Sequence, residues 1–594
     1  MGYLVMQVSD ILQNDVSPNP QFLPEGLVVV VNLRSLRALP FWQGEMIRLR
    51  AEGRYARSDE VLRTLKPRHL LRFWQAVSER FPTIASALHR RISLKRPCPP
   101  LRLSRQEEPS RRWPPPIWVN RRQQITNVRR NQGAASMDDK KSFDTERCQS
   151  IVAARHFAPC ADQRQVKPEY ISVMVRGEGT YLWDSQGKQY LDGVSGVYCT
   201  ALGYGREELV EAATNQMRQL SFCSPYMNVT HPSLANLAER LFSILPERYG
   251  RVVYCNSGSE ANETLIRTVR RYWDTIDRPQ KKILISRHNA YHGSTMGSAS
   301  LGGFKAMHQM GGLPIPGIHH IGEPYWFAYR GDLTEEEFGL RMAGELEEKI
   351  LELGPDNVTA FVAEPIQGAG GFIFPPSTYW PEIQRICRKY DVLLCVDEVI
   401  GGFGRMGEWF SHQLYGIEPD TISIAKGLTS GYVPMGGLIL SSKIADAIAA
   451  GGLYAHVFTY QGHPLAAAVA CANLGLLNEG GIVDKVRNDT GPYLQRLLQE
   501  TFAGHPLVWG VQGAGAAAAL QLAPVKGKKQ RFANEDVVGA YCTQSAFQTG
   551  LIVRSVMARM ILAPALTATR EEIDGIVQRL KLAVDRTAEA LGII

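Results

Sequence analysis

Residues 392–399 of the sequence, Val-Leu-Leu-Cys-Val-Asp-Glu-Val, are an uninterrupted apolar run that ends in two carboxylates. Apolar runs without polar alternation are typical of strands that a parallel sheet buries on both faces. Asp397 and Glu398 would then lie at the carboxyl end of a strand, where α/β sheets bind their ligands. A carboxylate there could hold a metal, act as a base or pair with a protonated ring nitrogen. The alternative, a solvated or helix-capping acid, suits Glu398 better than Asp397.

Other apolar runs share this pattern, and the segments between them have helical spacing. The predicted strands are residues 252–255, 282–285, 358–363, 392–396 and 421–425. Apolar residues at helical spacing predict helices within residues 234–245, 261–273 and 571–591. Strands that alternate with helices predict an α/β fold with a mostly parallel sheet.

The length of 594 residues exceeds what one hydrophobic core usually organises, so at least two domains are expected. We expect the α/β part to occupy residues 137–594. Within it, a large domain would cover about residues 200–470, and a smaller α+β domain would combine about residues 165–199 with residues 471–594.

Residues 256–262, Asn-Ser-Gly-Ser-Glu-Ala-Asn, follow one predicted strand and open a predicted helix. The hydroxyls of Ser257 and Ser259 can donate to phosphate oxygens, and Gly258 lets the backbone come close. A helix N-terminus attracts anions because its first amides are unpaired, so this turn suits a phosphate. The alternative is a Ser-Gly turn that only caps the helix.

Residues 421–427, Thr-Ile-Ser-Ile-Ala-Lys-Gly, bring a lysine to the end of another apolar strand. A lone lysine is often a surface residue with a buried stem, but the glycines after Lys426 indicate a crowded site. Pyridoxal phosphate requires a helix N-terminus for its phosphate, an acid for its ring nitrogen and a lysine for its aldehyde. The three motifs occur in that order, and together they predict a site for this cofactor with Asp397 and Lys426 as its catalytic residues.

The chain also resembles a known family over about residues 165–590. The segments that carry the resemblance are GTYLWDSQGKQYLDGVSGVYCTALGYG (179–205), NSGSEAN (256–262), AYHGSTMGS (290–298), AEPIQGAGG (363–371), CVDEVIGGFGR (395–405), AKGLTSGYVPMGG (425–437) and FTYQGHP (458–464). They are similar, in order, to those of the class III, or omega-type, aminotransferases, which have the fold of type I pyridoxal-phosphate-dependent transferases. LPIPGIHHI, EPYWF, PPSTYW and GEWF resemble the putrescine or polyamine:pyruvate group of that family.

The resemblance implies roles for the cofactor-binding residues. Asp397 would keep the pyridine nitrogen protonated, and Lys426 would bond the aldehyde and later move a proton. Ser257, Gly258 and Ser259 would bind the phosphate.

The ring of the cofactor would lie between Tyr291 on one face and Val399 on the other. Gln367 would contact its hydroxyl group, with Glu364 beside the same site. Thr459 would reach the phosphate from the neighbouring subunit, which implies a homodimer with shared active sites. The alternative interpretation of Tyr291 is a core aromatic residue, and that of Thr459 is a residue of a strand.

The substrate would meet aromatic side chains and one arginine. Tyr198 stands where related enzymes often carry a tryptophan, and Phe222, Tyr226 and Tyr454 could complete an aromatic pocket that suits aliphatic amines. Arg554 matches the arginine that accepts the carboxylate of the keto acid.

The surroundings of Arg554 depart from the family. Residues 556–559 are Val-Met-Ala-Arg and residues 563–566 are Ala-Pro-Ala-Leu, where relatives tend to have Gly-Asp and Ser-Pro-Pro-Leu. Gln512 replaces a usual arginine. The identity of the amine donor and the binding of the carboxylate are therefore open.

We expect transamination between an aliphatic amine or omega-amino compound, such as putrescine, and a 2-keto acid such as pyruvate. The alternatives are a larger biosynthetic amine or ketone, or a decarboxylase, racemase or aminomutase on the same scaffold. A non-catalytic protein that binds nucleic acid through its basic extension is a further alternative.

Composition favours a cytoplasmic protein without a membrane or nucleic-acid partner. No apolar run approaches the ~20 residues of a membrane helix. The ten cysteines are scattered, without metal-ligand spacing, so we expect free thiols and no bound metal.

Residues 1–136 form a separate basic segment rich in arginine and proline. They hold 23 Lys and Arg against 10 Asp and Glu, whereas residues 137–594 hold 43 against 48. The segment could be a nucleic-acid or membrane-surface arm, a poor transit peptide, or translated upstream sequence with the start at Met137. We favour the last. Part of the segment could be disordered, with a short helix within residues 59–81.

Overall fold

The computed structural model describes residues 3–7, 28–32, 144–526 and 530–594. The chain divides into two units, residues 1–136 and residues 137–594. In the first unit, β1 (Tyr3–Gln7) pairs antiparallel with β2 (Val28–Asn32). The helix predicted within residues 59–81 lies outside the described residues.

The strands of the second unit fall into three sheets in the part of the chain described. In chain order they are β3 (Met174–Glu178), β4 (Tyr181–Asp184), β5 (Gln189–Asp192), β6 (Tyr249–Cys255), β7 (Ile283–Arg287), β8 (Ile318–Ile321), β9 (Val358–Ala363), β10 (Leu393–Asp397), β11 (Thr421–Ile424), β12 (Gly436–Ser441), β13 (Val508–Ala514), β14 (Ala517–Leu522), β15 (Leu551–Ile552), β16 (Arg554–Val556) and β17 (Arg559–Leu562).

Helices connect the strands and cover the sheets. In chain order they are α1 (Thr145–Arg155), α2 (Ser195–Tyr198), α3 (Glu207–Gln219), α4 (Pro232–Ser243), α5 (Gly258–Thr275), α6 (Met296–Leu301), α7 (Lys305–His308), α8 (Trp326–Tyr329), α9 (Glu335–Leu353), α10 (Tyr379–Lys389), α11 (Ser442–Ala450), α12 (Pro464–Glu479), α13 (Ile482–Lys485), α14 (Gly491–Phe502), α15 (Glu535–Gln548) and α16 (Arg570–Ala590).

A seven-stranded sheet forms the centre of the second unit, in the order β6-β12-β11-β10-β9-β7-β8. All neighbours are parallel except β12, which runs antiparallel to β11 and to β6. Every residue of β9 to β12 is buried. The predicted α/β fold with a mostly parallel sheet is therefore confirmed, and each predicted strand overlaps an observed one.

The strands β8 and β12 were missed by the sequence analysis. The sequence of β12, Gly-Gly-Leu-Ile-Leu-Ser, begins with two of the glycines after Lys426 from which we predicted a crowded site. In the structure, Gly436 and Gly437 are the first two residues of a buried strand. A Cβ on Gly436 would lie 2.6 Å from the carbonyl oxygen of Ser257, so the two chain segments approach too closely for a side chain.

The sequence of α5 explains why this segment forms a helix. Ser257 is its N-cap, and the Ser257 side chain accepts a hydrogen bond from the amide of Glu260. Ala261, Leu265 and Val269 recur every four residues along its buried face. Burial of this stripe fixes the start of α5 against the carboxyl end of the sheet.

Two four-stranded sheets accompany the central sheet. One has the order β13-β14-β17-β16 and is antiparallel throughout. The other has the order β15-β5-β4-β3, in which β15 runs parallel to β5. This pairing joins residues near 190 to residues near 551. Leu191, Leu551 and Leu580 of α16 share one core cluster.

Among the described residues, no single helix has both the length and the apolar composition of a membrane span. One bent pair of helices, Pro464–Glu479 with Ile482–Phe502, reaches that length and composition only when the two are taken together.

Candidate active site

The carboxyl ends of β6, β10 and β11 surround a cavity of about 170 Å³. Its lining residues are Ser257, Gly258, Ser259, Asn262, Tyr291, His292, Gly293, Glu364, Asp397, Val399, Ile400, Ala425 and Lys426. The three motifs that the sequence analysis singled out thus meet in one place. They do so because parallel strands deliver their following residues to the same edge of the sheet.

The N-terminus of α5 forms one wall of this cavity. Ser257 precedes the helix, and Gly258 and Ser259 are its first residues. The Oγ of Ser259 accepts a hydrogen bond of 3.1 Å from the amide of Ser294. A Cβ on Gly258 would lie 3.0 Å from Cγ1 of Val399, so the bare backbone is needed here. Unpaired amides and two hydroxyls make this wall suitable for a phosphate group.

Asp397 is the last residue of β10 and is only 4% exposed. Its Oδ2 accepts hydrogen bonds of 2.7 Å from Asn262 Nδ2 and 2.8 Å from His292 Nδ1. Its Oδ1 accepts one of 3.0 Å from the amide of Val399. Burial by itself would raise the pKa of Asp397, but these hydrogen bonds and the charge of His292 outweigh burial and lower the pKa from its ordinary value. Asp397 is therefore held as a carboxylate at neutral pH.

A second layer of polar residues supports Asp397. Asn262 Nδ2 also donates to the carbonyl of His292, over 2.7 Å, and Asn262 Oδ1 accepts from Ser423 Oγ over 2.9 Å. His292 Nε2 lies 3.2 Å from Ser286 Oγ. All of these side chains are buried. The sequence analysis did not single out Asn262 and His292, although both lie within the quoted motifs NSGSEAN and AYHGSTMGS.

Lys426 follows β11 and begins a 3₁₀ turn. Its φ angle of 42° is in the left-handed region, which a residue with a side chain rarely adopts and which is common at functional sites. Burial lowers the pKa of the Lys426 amine, although the nearby Cys199, Asp397 and Glu364 oppose the shift. The amine is thus easier to deprotonate than that of an ordinary lysine.

Tyr291 and Val399 line the same cavity as Asp397 and Lys426. Val399 packs against Gly258, two residues beyond Asp397. The amide of Tyr291 donates to Glu364 Oε1 over 3.2 Å, and the Tyr291 hydroxyl lies 3.2 Å from Ser294 Oγ. The structure therefore brings Tyr291 and Val399 into the same cavity, as their predicted roles on either side of a ring require.

Glu364 and Gln367 differ in their positions. Glu364 lines the cavity, and its Oε2 accepts a hydrogen bond of 2.8 Å from the amide of Gly368. Burial raises the pKa of Glu364. Gln367 does not line the cavity; its Nε2 donates to the carbonyl of His288 over 3.0 Å. Its buried Oε1 has no partner among the described residues. The contact of Gln367 with a ring hydroxyl stays a prediction.

Tyr198 and Arg554 lie close to each other. Tyr198 ends a four-residue left-handed turn, in which Ser195 to Tyr198 have φ angles of 41°, 57°, 60° and 69°. Asp192 stabilises this turn by accepting hydrogen bonds from the amides of Val194 and Gly196. Arg554 Nη1 then lies 3.4 Å from the Tyr198 hydroxyl.

The guanidinium of Arg554 is available for a ligand. Its other contact is one of 3.4 Å to the carbonyl of Ala369. Across the described ranges, Arg554 forms no ion pair with a carboxylate. A half-buried cation with only long contacts to neutral groups is suited to an incoming carboxylate.

Other residues assigned from the sequence lie elsewhere in the single chain. Phe222 contacts Tyr460, with ring centroids 5.5 Å apart, and Tyr226 is exposed. The Tyr454 hydroxyl lies 2.7 Å from Thr268 Oγ1. None of Phe222, Tyr226, Tyr454 and Thr459 lines the cavity of its own chain. Phe222, Tyr226 and Tyr454 therefore do not form the predicted aromatic pocket within one chain. The segments that carry them, residues 220–229 and 452–463, lie outside the wall of the cavity.

The residues present fit pyridoxal phosphate. The cavity contains a helix N-terminus, a buried carboxylate with a lowered pKa, and a buried lysine. At the helix N-terminus, Gly258 lies so close to Val399 that a Cβ would not fit. The phosphate requires hydrogen-bond donors, the protonated ring nitrogen requires an acidic acceptor, and the aldehyde requires an amine, and the cavity supplies all three groups. In the part of the chain that the structure describes, no group of three or more His, Cys, Asp or Glu residues is placed to hold a metal ion.

Comparison with known proteins gives matches over most of the chain. The family described as aminotransferase class III matches residues 162–584. The putrescine–pyruvate aminotransferase of Pseudomonas aeruginosa is 48% identical over 447 residues, which are 75% of this chain and 98% of that protein. The diaminobutyrate–2-oxoglutarate transaminase of Halomonas elongata is 41% identical over 428 residues, which are 70% of this chain and 91% of that protein.

Solved structures give the same result for the fold. The omega-transaminase of Pseudomonas jessenii in complex with PMP is 37% identical, with a TM-score of 0.73, and the match covers 75% of this chain and 99% of that one. A thermostable (S)-enantioselective omega-transaminase of Thermomicrobium roseum is 37% identical, with a TM-score of 0.72, and the match covers 75% and 99%.

Proposed function

This chain belongs to the class III aminotransferases, and we propose that the amine it deaminates is an aliphatic, putrescine-like amine or omega-amino compound whose nitrogen passes to a 2-keto acid such as pyruvate. Amine:keto-acid transamination with pyridoxal phosphate as cofactor is the reaction of the family. The choice of amine rests on the similarity to a putrescine–pyruvate aminotransferase over nearly the whole length of that relative.

The meeting of Lys426, Asp397 and the start of α5 in one cavity is the observation that carries the mechanism. When bound, pyridoxal phosphate supplies an electron sink for the breaking of the substrate C–H bond. Lys426 would take the proton from the substrate carbon, which requires a neutral amine, and would deliver it to the aldehyde carbon of the cofactor, because return to the substrate carbon would transfer no nitrogen. An ordinary lysine has a pKa of about 10.4, and burial lowers that of Lys426. Asp397 keeps the proton on the ring nitrogen.

Arg554 would bind the carboxylate of the keto acid, and the wall beside it is aromatic and aliphatic. Tyr198, Phe372 and Ile400 belong to one apolar cluster there. The carboxylates that line the cavity, Glu364 and Asp397, are already hydrogen-bonded to the protein. A second ammonium group of a diamine would therefore meet aromatic faces, which attract cations, rather than a free acid.

We also propose a homodimer in which each subunit completes the other's active site. Thr459 and its neighbour Tyr460, which is 61% exposed, lie outside the cavity of their own chain. Tyr460 contacts Phe222, and Tyr226, Met227, Leu453 and Val457 nearby in sequence are exposed as well. Exposed apolar side chains that are grouped in two segments in contact with each other are typical of a protein interface. A second copy would cover this surface and bring Thr459 to the phosphate.

A cytoplasmic location remains a proposal. It is supported by the cysteines, since the nine within the described residues are all free thiols, as expected in a reducing compartment.

The decisive experiment is visible absorbance of the full chain with pyridoxal phosphate. Putrescine without keto acid should convert the lysine-bound cofactor to its amine form, and pyruvate should restore the original band. If putrescine left the band unchanged and diaminobutyrate or gamma-aminobutyrate converted it, putrescine would not be the donor, and the converting compound would take its place. Product analysis excludes a decarboxylase, racemase or aminomutase if one keto acid is consumed per amine.

A further inference from the structure

Arg559 is a buried cation on β17, only 3% exposed, and it forms no ion pair with a carboxylate among the described residues. Its guanidinium instead donates to neutral oxygens. Nε donates to the carbonyl of Gly371 over 2.6 Å, and Nη2 donates to the carbonyl of Phe372 over 2.8 Å. Nη2 also donates to Gln512 Oε1 over 2.8 Å. Arg559 therefore uses a rigid fork of donors to hold two consecutive peptide groups.

The two peptide groups belong to a closed loop, residues 367–373. Gln367 and Ile373 pair with each other at its base, with N–O distances of 3.2 and 3.0 Å. At its tip, Gly371 has a φ of 118° and Phe372 a φ of 48°. A phenylalanine in the left-handed region is unfavourable on its own, so surrounding contacts must hold it there. The guanidinium of Arg559 is such a contact.

The other side of the loop contacts Arg554 and Tyr198, the two residues that we predict to meet the substrate. The carbonyl of Ala369 accepts the contact from Arg554. The ring of Phe372 meets the ring of Tyr198 edge-on, with centroids 5.3 Å apart and an interplanar angle of 61°. A shift of the loop would therefore disturb its contacts with Arg554 and with Tyr198, and so change the position of the one residue relative to the other. None of Tyr198, Arg554 and Arg559 lines the cavity that holds Lys426, but the charge of Arg554 is close enough to contribute to the lowering of the Lys426 pKa.

We propose that Arg559 is a specificity-determining positioning residue of this transaminase. By holding the carbonyls of Gly371 and Phe372, it sets the position of Arg554 relative to Tyr198 and so the binding of the keto acid's carboxylate. The inference rests on the proposed role of Arg554. Arg559 would then affect the half-reaction with the keto acid. The cofactor would be bound by Ser257, Asp397 and Lys426 without its help.

The test compares the full-length variants Arg559→Met, Arg559→Lys, Gln512→Met and Arg554→Met with the wild type, using the 2-keto acid that the wild type uses best. Arg559→Met should raise the KM for the keto acid about tenfold, because misplacement of a binding group costs affinity. The rate of the half-reaction with the amine should stay within about twofold. Arg559→Lys can donate to one of the two carbonyls, so its KM should lie between those of the wild type and of Arg559→Met. Gln512→Met removes an acceptor of the same guanidinium but does not touch the loop, so its KM should not change.

The outcomes separate the inference from the proposed function. If Arg554→Met leaves the KM for the keto acid unchanged, the proposed carboxylate site is wrong, and the role of Arg559 is overturned with it. If Arg554→Met raises the KM and Arg559→Met does not, only the role of Arg559 is overturned. Equal losses in both half-reactions, or an equal effect of Gln512→Met, would also overturn it. Should Arg559→Met not fold, Phe372→Leu, which removes the ring edge against Tyr198, must raise the same KM.

Discussion

His292 Nδ1 lies 2.8 Å from Asp397 Oδ2, and both side chains are buried in the wall of the cofactor cavity. The histidine is held in turn by Ser286, 3.2 Å from its Nε2, and its carbonyl by Asn262. This contact counteracts the effect of burial on Asp397. It therefore keeps a carboxylate charged at a position where desolvation alone would favour its neutral form.

Replacement of His292 should weaken the cofactor site most at low pH. Because the folded pKa of Asp397 is lowered, its ionised form prevails above that pKa and is lost as the pH falls through it. His292→Phe removes a cause of the lowering, so the pKa of Asp397 should rise and the loss should begin at higher pH. We expect the Kd for pyridoxal phosphate to rise about tenfold at the acidic end, which corresponds to about 1.4 kcal/mol of binding free energy, and to approach the wild-type value at alkaline pH. Titration of cofactor absorbance at several pH values tests this. An equal change at every pH would contradict it, and His505→Phe, at a histidine paired with Asp585, serves as control.

Removal of the Lys426 amine should abolish turnover. Lys426→Ala lacks the group that bonds the cofactor and moves the proton, and general acid–base catalysis alone contributes about 10²- to 10⁴-fold. We expect steady-state activity with an amine and a keto acid to fall at least about 1,000-fold. Lys443→Ala, which alters an exposed lysine of α11, is the control. Steady-state activity of Lys426→Ala near that of the control would refute the assignment.

A methyl group on Gly258 should interfere with the cofactor more than with folding. Its Cβ would lie 3.0 Å from Cγ1 of Val399, a residue that lines the cavity, so the valine or the start of α5 would have to shift. Overpacking of this kind costs about 1–3 kcal/mol, and we expect the Kd for pyridoxal phosphate to rise about tenfold or more. Gly344→Ala is the matched control, since its Cβ would meet no atom within 4 Å on the helix α9. Equal cofactor affinity of the two variants would show that Gly258 is not a contact residue.

A charge in the exposed apolar surface should separate the subunits and inactivate the enzyme. Tyr460→Glu would place a carboxylate in the proposed interface, where desolvation of an unpaired charge is unfavourable. We expect light scattering to show a monomer and the activity to fall at least about tenfold, since Thr459 would no longer reach the partner's site. Leu582→Glu is the control, because Leu582 is exposed on α16, outside that surface. A dimeric Tyr460→Glu with wild-type activity would argue against the shared site.

Local sequence was enough to predict the parallel sheet and the positions of Ser257, Asp397 and Lys426. The reason is that apolar runs and the polar residues after them are properties of consecutive residues, and parallel strands bring such residues to one edge. The strand β12 escaped prediction because its glycines serve a close approach to Ser257, which belongs to a distant part of the chain.

Only the tertiary structure decided which side chains support and shape the site. The bonds of His292 to Asp397 and of Arg559 to Phe372 join residues more than 100 positions apart, and the exclusion of Phe222 and Tyr226 from the cavity depends on where whole segments pack. Such distances follow from the packing of many side chains at once, which no periodicity along the chain records. The sequence by itself thus determined the fold, the cofactor and the place of Lys426 at the end of a buried strand, whereas the three-dimensional packing decided how Asp397 is kept charged and which side chains lie around Arg554.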